Sequence, residues 1–254
     1  MNIRPGQQAL TLIAIALTFG SGAADVASFT RLGDVFTSVM TGNIVLWGLA
    51  AARGSLTLFS HTAVAIAGYI AGVVAGTWIA HGFRVADPGE DENQAATLPG
   101  HVVRPLLAEL ALLAVFAAGW EVSGASPAGW VQYCLLAALA AGMGVQSSAV
   151  KDMGLAEVST TYLTGTLTGL VSSLARPGQA TPQRTRRVGV LIGLVAGASL
   201  CGLLVATAAS AVPALLLGAL VATLVLAWRP GWLGLSAAQD RGQLPPCERG
   251  FCPR

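Results

Sequence analysis

Charge is what this sequence has least of. Of its 254 residues only 10% are Asp, Glu, Lys or Arg, while 54% are hydrophobic and the mean hydropathy is +0.67. A soluble domain carries about 25% charged residues, so this chain cannot cover a water-facing surface. The net charge of +2 leaves no basic face for nucleic acid. Cysteine is scarce too. Cys134 and Cys201 lie inside apolar segments, and Cys247 and Cys252 form a Cys-x4-Cys pair in a polar tail with no nearby histidine, where an inert tail is expected. His61, His81 and His101 are too scattered for a metal cluster. No phosphate loop, zinc motif, dinucleotide fingerprint or nucleophile elbow occurs. We therefore expect no enzyme activity, no cofactor, no metal and no catalytic residue.

What the chain does contain is apolar runs of about 20 residues, the length that crosses a bilayer. Eight helical segments can be drawn, at 8–29, 35–52, 59–83, 105–122, 129–150, 158–175, 188–210 and 213–228. The expected fold is all-α, a polytopic helical membrane protein. Residues 84–104 form a polar connecting loop, and 229–254 a disordered tail. Pro105 and Pro213 suit the first positions of their helices. The first segment resembles a signal peptide at Ser21-Gly22-Ala23, but its n-region has only Arg4 and its Gly-x-Gly recurs at Gly142, so it is expected to be retained.

The chain also repeats itself. Val-Phe-Thr-Ser-Val-Met-Thr-Gly-Asn-Ile at 35–44 returns as Val-Ser-Thr-Thr-Tyr-Leu-Thr-Gly-Thr-Leu at 158–167, and Gly20-x-Gly22 returns as Gly142-x-Gly144. Segments one to four map onto five to eight, giving a first membrane repeat (1–83 plus 105–122) and a second (129–228). Small residues let helices approach closely in lipid; Gly68-x3-Gly72-x3-Gly76 is such a face, for packing within the chain or between copies.

Cations favour the cytoplasmic side. Arg176, Arg184, Arg186 and Arg187 fix the loop before segment seven inside. If segments two and six are broken or partial, six helices span, and Arg84, Arg104 and Lys151 also fall inside. That layout obeys the charge rule better than eight full spans, the alternative, and it inverts the halves relative to each other. Both layouts place both termini in the cytoplasm of a bacterial inner-membrane protein.

Asp25 is the sharpest single residue, because a carboxylate within the bilayer costs at least about 2.5 kcal/mol unless it faces a cavity, a partner or the interface. It reads either as a cation- or proton-linked site or as a helix-end carboxylate, solvated or paired with Arg31. Thr37, Ser38, Thr41 and Asn43 correspond to Thr160, Thr161, Thr164 and Thr166. Glycine-interrupted hydroxyl motifs at membrane depth need shelter from protein or a water-filled cavity, so the two breaks are expected to meet between the halves. Gln146 lies within one residue of the position equivalent to Asp25. Asp34 and Glu157 precede the two motifs as expected helix caps. Glu109, one turn into segment four, and Glu121 are expected at the interface, as is His61. The tryptophans read as an aromatic belt.

At Gly22-Ala-Ala-Asp25-Val-Ala-Ser-Phe29, Leu32-Gly33-Asp-Val-Phe36 and Met40-Thr-Gly-Asn43 the chain resembles the YoaK family of bacterial membrane proteins. The second-half hallmark of that family appears as Gly144-Val-Gln146-Ser-Ser and Thr160-Thr-Tyr-Leu-Thr164-Gly-Thr-Leu-Thr168. The resemblance runs from about residue 8 to 228. Val26 stands where the family has alanine, and Ser147 where it has asparagine, which weakens any role for an amide pair at 146 and 147. The resemblance implies an integral inner-membrane protein and names no substrate. Two readings of function follow. One is a small secondary transporter or channel-like protein for a small solute or ion, with its site between the repeats. The other is a membrane scaffold in which the polar motifs only pack helices. A homo-oligomer is left open.

Overall fold

The computed structural model describes residues 5–84, 100–153, 163–175 and 182–228. Thr160, Thr161, Glu157, most of the polar loop and the tail from residue 229 lie outside them. The described residues form eight helices and no strand. They are α1 (Pro5–Arg31), α2 (Met40–Arg53), α3 (Leu56–Arg84), α4 (Gly100–Val122), α5 (Gly129–Asp152), α6 (Leu163–Leu174), α7 (Pro182–Thr207) and α8 (Val212–Trp228). A short 3-10 turn, Ala209–Ala211, precedes α8.

Six of these helices are long and apolar enough to cross a membrane. The two others have 14 and 12 residues. At about 1.5 Å per residue they fall short of a hydrocarbon core about 30 Å thick. This is the arrangement of six spans and two partial helices expected from the charge distribution.

α1 and α5 form the centre. In their most apolar windows 61% and 67% of residues are buried, against 22% to 33% for the other four spans. Those four leave branched apolar side chains such as Ile70, Val115, Ile192 and Val225 exposed. Such outward apolar faces on helices of spanning length suit lipid.

Glycine sets how the long helices pair. On α3, a methyl at Gly68 would meet the backbone of Ala137, one at Gly72 the carbonyl of Ala141, and one at Gly76 both Val145 and Ser148. The contacts climb in the same order on both helices, so α3 and α5 run parallel. The glycine face of α3 is thus used inside the chain. α7 carries the same spacing, Gly189-x3-Gly193-x3-Gly197, and these glycines meet Ile15 and Phe19 of α1. That pair is parallel as well. The central helices themselves are antiparallel, because Gln132, near the start of α5, donates to the carbonyl of Arg31 at the end of α1 (2.9 Å).

Several local expectations change. α4 begins at Gly100, so Pro105 sits inside the helix. The amide it lacks would have bonded the carbonyl of residue 101, still in the first turns, where the loss is small. α2 begins at Met40 rather than Val35, and its N-cap is Val39 without a side-chain bond. Asp34 does not cap it, being exposed at φ 57° in the turn that ends α1. Gly33 beside it, at φ 102°, lies against the His61 ring, and a Cβ there would collide with it. His61 itself is buried, held by the Thr57 carbonyl and by Gln132 Oε1 at 3.2 Å. Trp120 departs from the aromatic belt. It is fully buried and donates its indole N–H to the Ala209 carbonyl at 2.9 Å, whereas Trp78, Trp130 and Trp228 are exposed near helix ends.

Packing this close leaves no room for side chains at the crossing points. Gly72→Leu or Gly197→Leu drives a side chain into backbone and is expected to cost at least about 3 kcal/mol, enough to remove the monodisperse folded peak in detergent gel filtration. Gly48→Ala and Gly218→Ala, where a methyl meets nothing within 4 Å, are expected to elute like the wild type.

Candidate functional site

α1 carries a buried polar stripe, Thr18, Ser21, Asp25 and Ser28, at the three- and four-residue spacing that aligns side chains along one helix face. Thr18 and Ser28 return their hydroxyls to nearby carbonyls. Ser21 and Asp25 reach across to other elements, and each organises a separate polar cluster.

The first cluster surrounds Asp25. Its Oδ1 accepts from the backbone N–H groups of Thr37 and Ser38, both at 2.8 Å, and from the Thr37 hydroxyl at 3.2 Å; its Oδ2 accepts from the Ser38 hydroxyl at 2.6 Å. Four donors and no acceptor meet the carboxylate, as befits an anion. Asp25 lies six residues before the end of α1, roughly 9 Å along the helix. Residues 32–39 therefore fold back from the end of α1 to its depth. Asn43 locks the same turn. Its amide accepts from Phe36 N–H at 2.9 Å and donates to Phe36 O at 2.6 Å. Ser28 donates to the Val35 carbonyl at 2.8 Å. The break before α2 is thus closed by side chains, which satisfies backbone groups that no helix serves. Arg31 takes no part; it donates to Ser126 and to the Val205 carbonyl.

The second cluster lies deeper and joins three helices. Ser21 donates to Gln146 Oε1 on α5, and Gln146 Nε2 donates to Glu109 Oε1 on α4, each at 2.9 Å. Glu109 is 1% exposed and its second oxygen, Oε2, has no hydrogen-bond partner. A cavity of about 10 Å³, lined by Glu109 and Gln146 together with Leu17, Gly20, Met143 and Leu220, adjoins this group. That is about the space of one water molecule. Outside it, an apolar groove of about 580 Å³ runs between α1 and α8. Ala16 and Ala219 line both.

The residues singled out in the sequence therefore separate. Asp25, Thr37, Ser38 and Asn43 come together in one buried knot. Gln146 belongs to the other cluster. Thr166 is buried on α6, but Thr41 and Thr164 are exposed. α2 rests against α3 and α6 against α7, so Thr41-Gly42 and Thr164-Gly165 do not close a common buried site. Glu109 was misread as interfacial, because placing the helix start at Pro105 put it only one turn deep. With α4 starting at Gly100, it stands nine residues in. The available signal was a lone acid in a long apolar run. No group of three or more His, Cys, Asp or Glu residues that could hold a metal ion occurs among the described residues.

Comparison with known proteins agrees with this architecture. The family described as protein of unknown function DUF1275 matches residues 13–228. The chain is 33% identical over 165 residues to the UPF0700 transmembrane protein YoaK of Bacillus subtilis (strain 168), covering 65% of this chain and 67% of that protein. No solved structure matches.

The Asp25 knot makes a stability prediction. Asp25→Ala strands two buried backbone N–H groups and two hydroxyls, and each lost bond to a charged acceptor is worth about 1.5–3 kcal/mol. The variant is expected to unfold in SDS titration with at least about 3 kcal/mol less stability. Thr41→Ala, at an exposed position, is expected to change it by less than about 0.5 kcal/mol.

Proposed function

This chain belongs to the DUF1275 family of membrane proteins, and from that premise we propose that it is a small secondary transporter whose path runs between two inverted repeats. The observation that carries the reading is the Ser21–Gln146–Glu109 chain. It buries an amide and a carboxyl among spans of both halves, where uncompensated polar groups are expensive and usually functional. The cargo is a small solute or ion.

The repeat reading is supported by the way the helices exchange partners. α3 of the first half packs on α5 of the second, and α7 of the second packs on α1 of the first, each through three glycines at four-residue spacing. α4 packs on α5 as α8 packs on α1. Each half contributes three spans and one short helix, so the second half is upside down relative to the first, a plan common among secondary transporters. Arg104 and Lys151, with Arg184, Arg186 and Arg187, stand at one face, where they favour the cytoplasm. We place this face inside, with both termini, in a bacterial inner membrane. The 10 Å³ cavity fits an occluded state; access to either side then requires one half to rock against the other.

One observation favours the scaffold reading instead. Asp25 accepts four hydrogen bonds from its own loop, which suits a structural clamp that holds the turn.

Single cysteines at Ser21 and Gln146, in a variant lacking the native cysteines, distinguish the two readings. A transporter is expected to let a membrane-impermeant thiol reagent reach Ser21→Cys or Gln146→Cys from one face at rates at least about tenfold above a lipid-facing control such as Ile192→Cys, as a water-accessible path requires. Folded protein in which neither position reacts from either face would leave only helix packing.

A further inference from the structure

We propose that Glu109 is a reversible proton-binding site in the membrane interior. The observations are geometric. Glu109 is buried on α4 nine residues from its start, one carboxyl oxygen is engaged by Gln146, the other has no hydrogen-bond partner, and the residue lines a water-sized cavity. The two acids of the interior are treated oppositely. Asp25 is surrounded by four donors that suit an anion, whereas Glu109 receives one.

Among the described residues no other charged group lines the space beside Glu109. The elements packed against it present Ala16, Leu17 and Gly20 from α1, Met143 and Gln146 from α5, and Leu216, Ala219 and Leu220 from α8. None of these is titratable. α8 holds no ionisable residue at all. Asp25 and Arg31 on α1, and Lys151 and Asp152 on α5, do not line the cavity, nor do His101, Arg104 and Glu121 of α4 itself. α3, which also packs on α4, contributes no residue to the lining.

An ion other than a proton is a poor fit. A hard cation such as Mg²⁺ or Ca²⁺ takes about six or more oxygen ligands, and the side chains of the lining offer only the oxygens of Glu109 and Gln146, of which Gln146 Oε1 already accepts from Ser21. A proton needs a single lone pair, which Oε2 has. Protonation also turns Oε2 into a donor, which one water in the cavity can accept. Proton binding stands independently of transport; that the proton couples to cargo movement rests on the transporter reading above.

Dicyclohexylcarbodiimide tests the site. This apolar reagent adds to protonated carboxyl groups in membrane interiors, and the groove between α1 and α8 gives it an approach from lipid. The purified full chain in lipid nanodiscs, treated and mapped by peptide mass spectrometry, is expected to carry an adduct on Glu109 that is strongest at acid pH and declines as the pH is raised, with Asp25 unmodified. Glu109→Gln is expected to remove the adduct. Should that variant fail to fold, Gln146→Leu serves: without the amide that supports the charged form, labelling is expected to persist to higher pH. Folded protein in which Glu109 takes no adduct from about pH 5 to about pH 9, or takes it equally throughout, overturns the proposal. Labelling at Glu109 with no accessibility at Ser21 or Gln146 leaves the proton site standing and removes the transport reading.

Discussion

A carboxylate placed inside a bilayer must be met from within the chain, and the structure around Asp25 is built on that requirement. Hydrocarbon offers no hydrogen bonds, so a helix break at membrane depth and a buried acid are each unfavourable alone. Here they compensate one another. The turn at residues 32–39 exposes backbone amides, and Asp25 accepts two of them along with both neighbouring hydroxyls. Asn43 and Ser28 close the remaining edges. The short α2 follows from this arrangement: the chain has already turned back into the membrane by Met40, and 14 residues return it to the face where α3 begins.

The same constraint explains the glycines. In water, glycine within a helix costs about 1 kcal/mol relative to alanine. In lipid, close approach replaces the missing hydrophobic drive, and the contacts of Gly72 with Ala141 and of Gly197 with Phe19 leave no space for a methyl. These tight pairs hold α1 and α5 in the centre. Three polar side chains from three helices can then meet at Ser21, Gln146 and Glu109.

Much of this was legible in the sequence. Composition and apolar run length announced the membrane fold, and the placement of arginines pointed to six spans with two partial helices, because lipid imposes those rules on any chain. Asp25 stood out for the same reason. What sequence could not give was partnership. Thr37, Ser38 and Asn43 were grouped with Thr41, yet the first three turn inward to Asp25 and Phe36 while Thr41 faces outward, a choice made by the turn at Gly33 and Asp34. Glu109 was missed through a boundary error: proline is favoured in a first turn, and α4 starts five residues before it. His61 and Trp120 lie near helix ends as their positions suggest, yet both are buried, and each has a polar partner on a neighbouring element that periodicity does not reveal.

The coupling between Asp25 and the broken segment is open to direct measurement by a double-mutant cycle. Asp25→Ala, Ser38→Ala and the double variant would be unfolded in SDS from mixed micelles and compared with the wild type. If the carboxylate and the Ser38 hydroxyl are partners, the two losses are expected to fall short of additivity by about 1–3 kcal/mol. Losses that add to within about 0.5 kcal/mol, with Asp25→Ala itself costing no more than that, would show that Asp25 does not hold the turn, and the account of how this chain breaks a helix inside the membrane would be wrong.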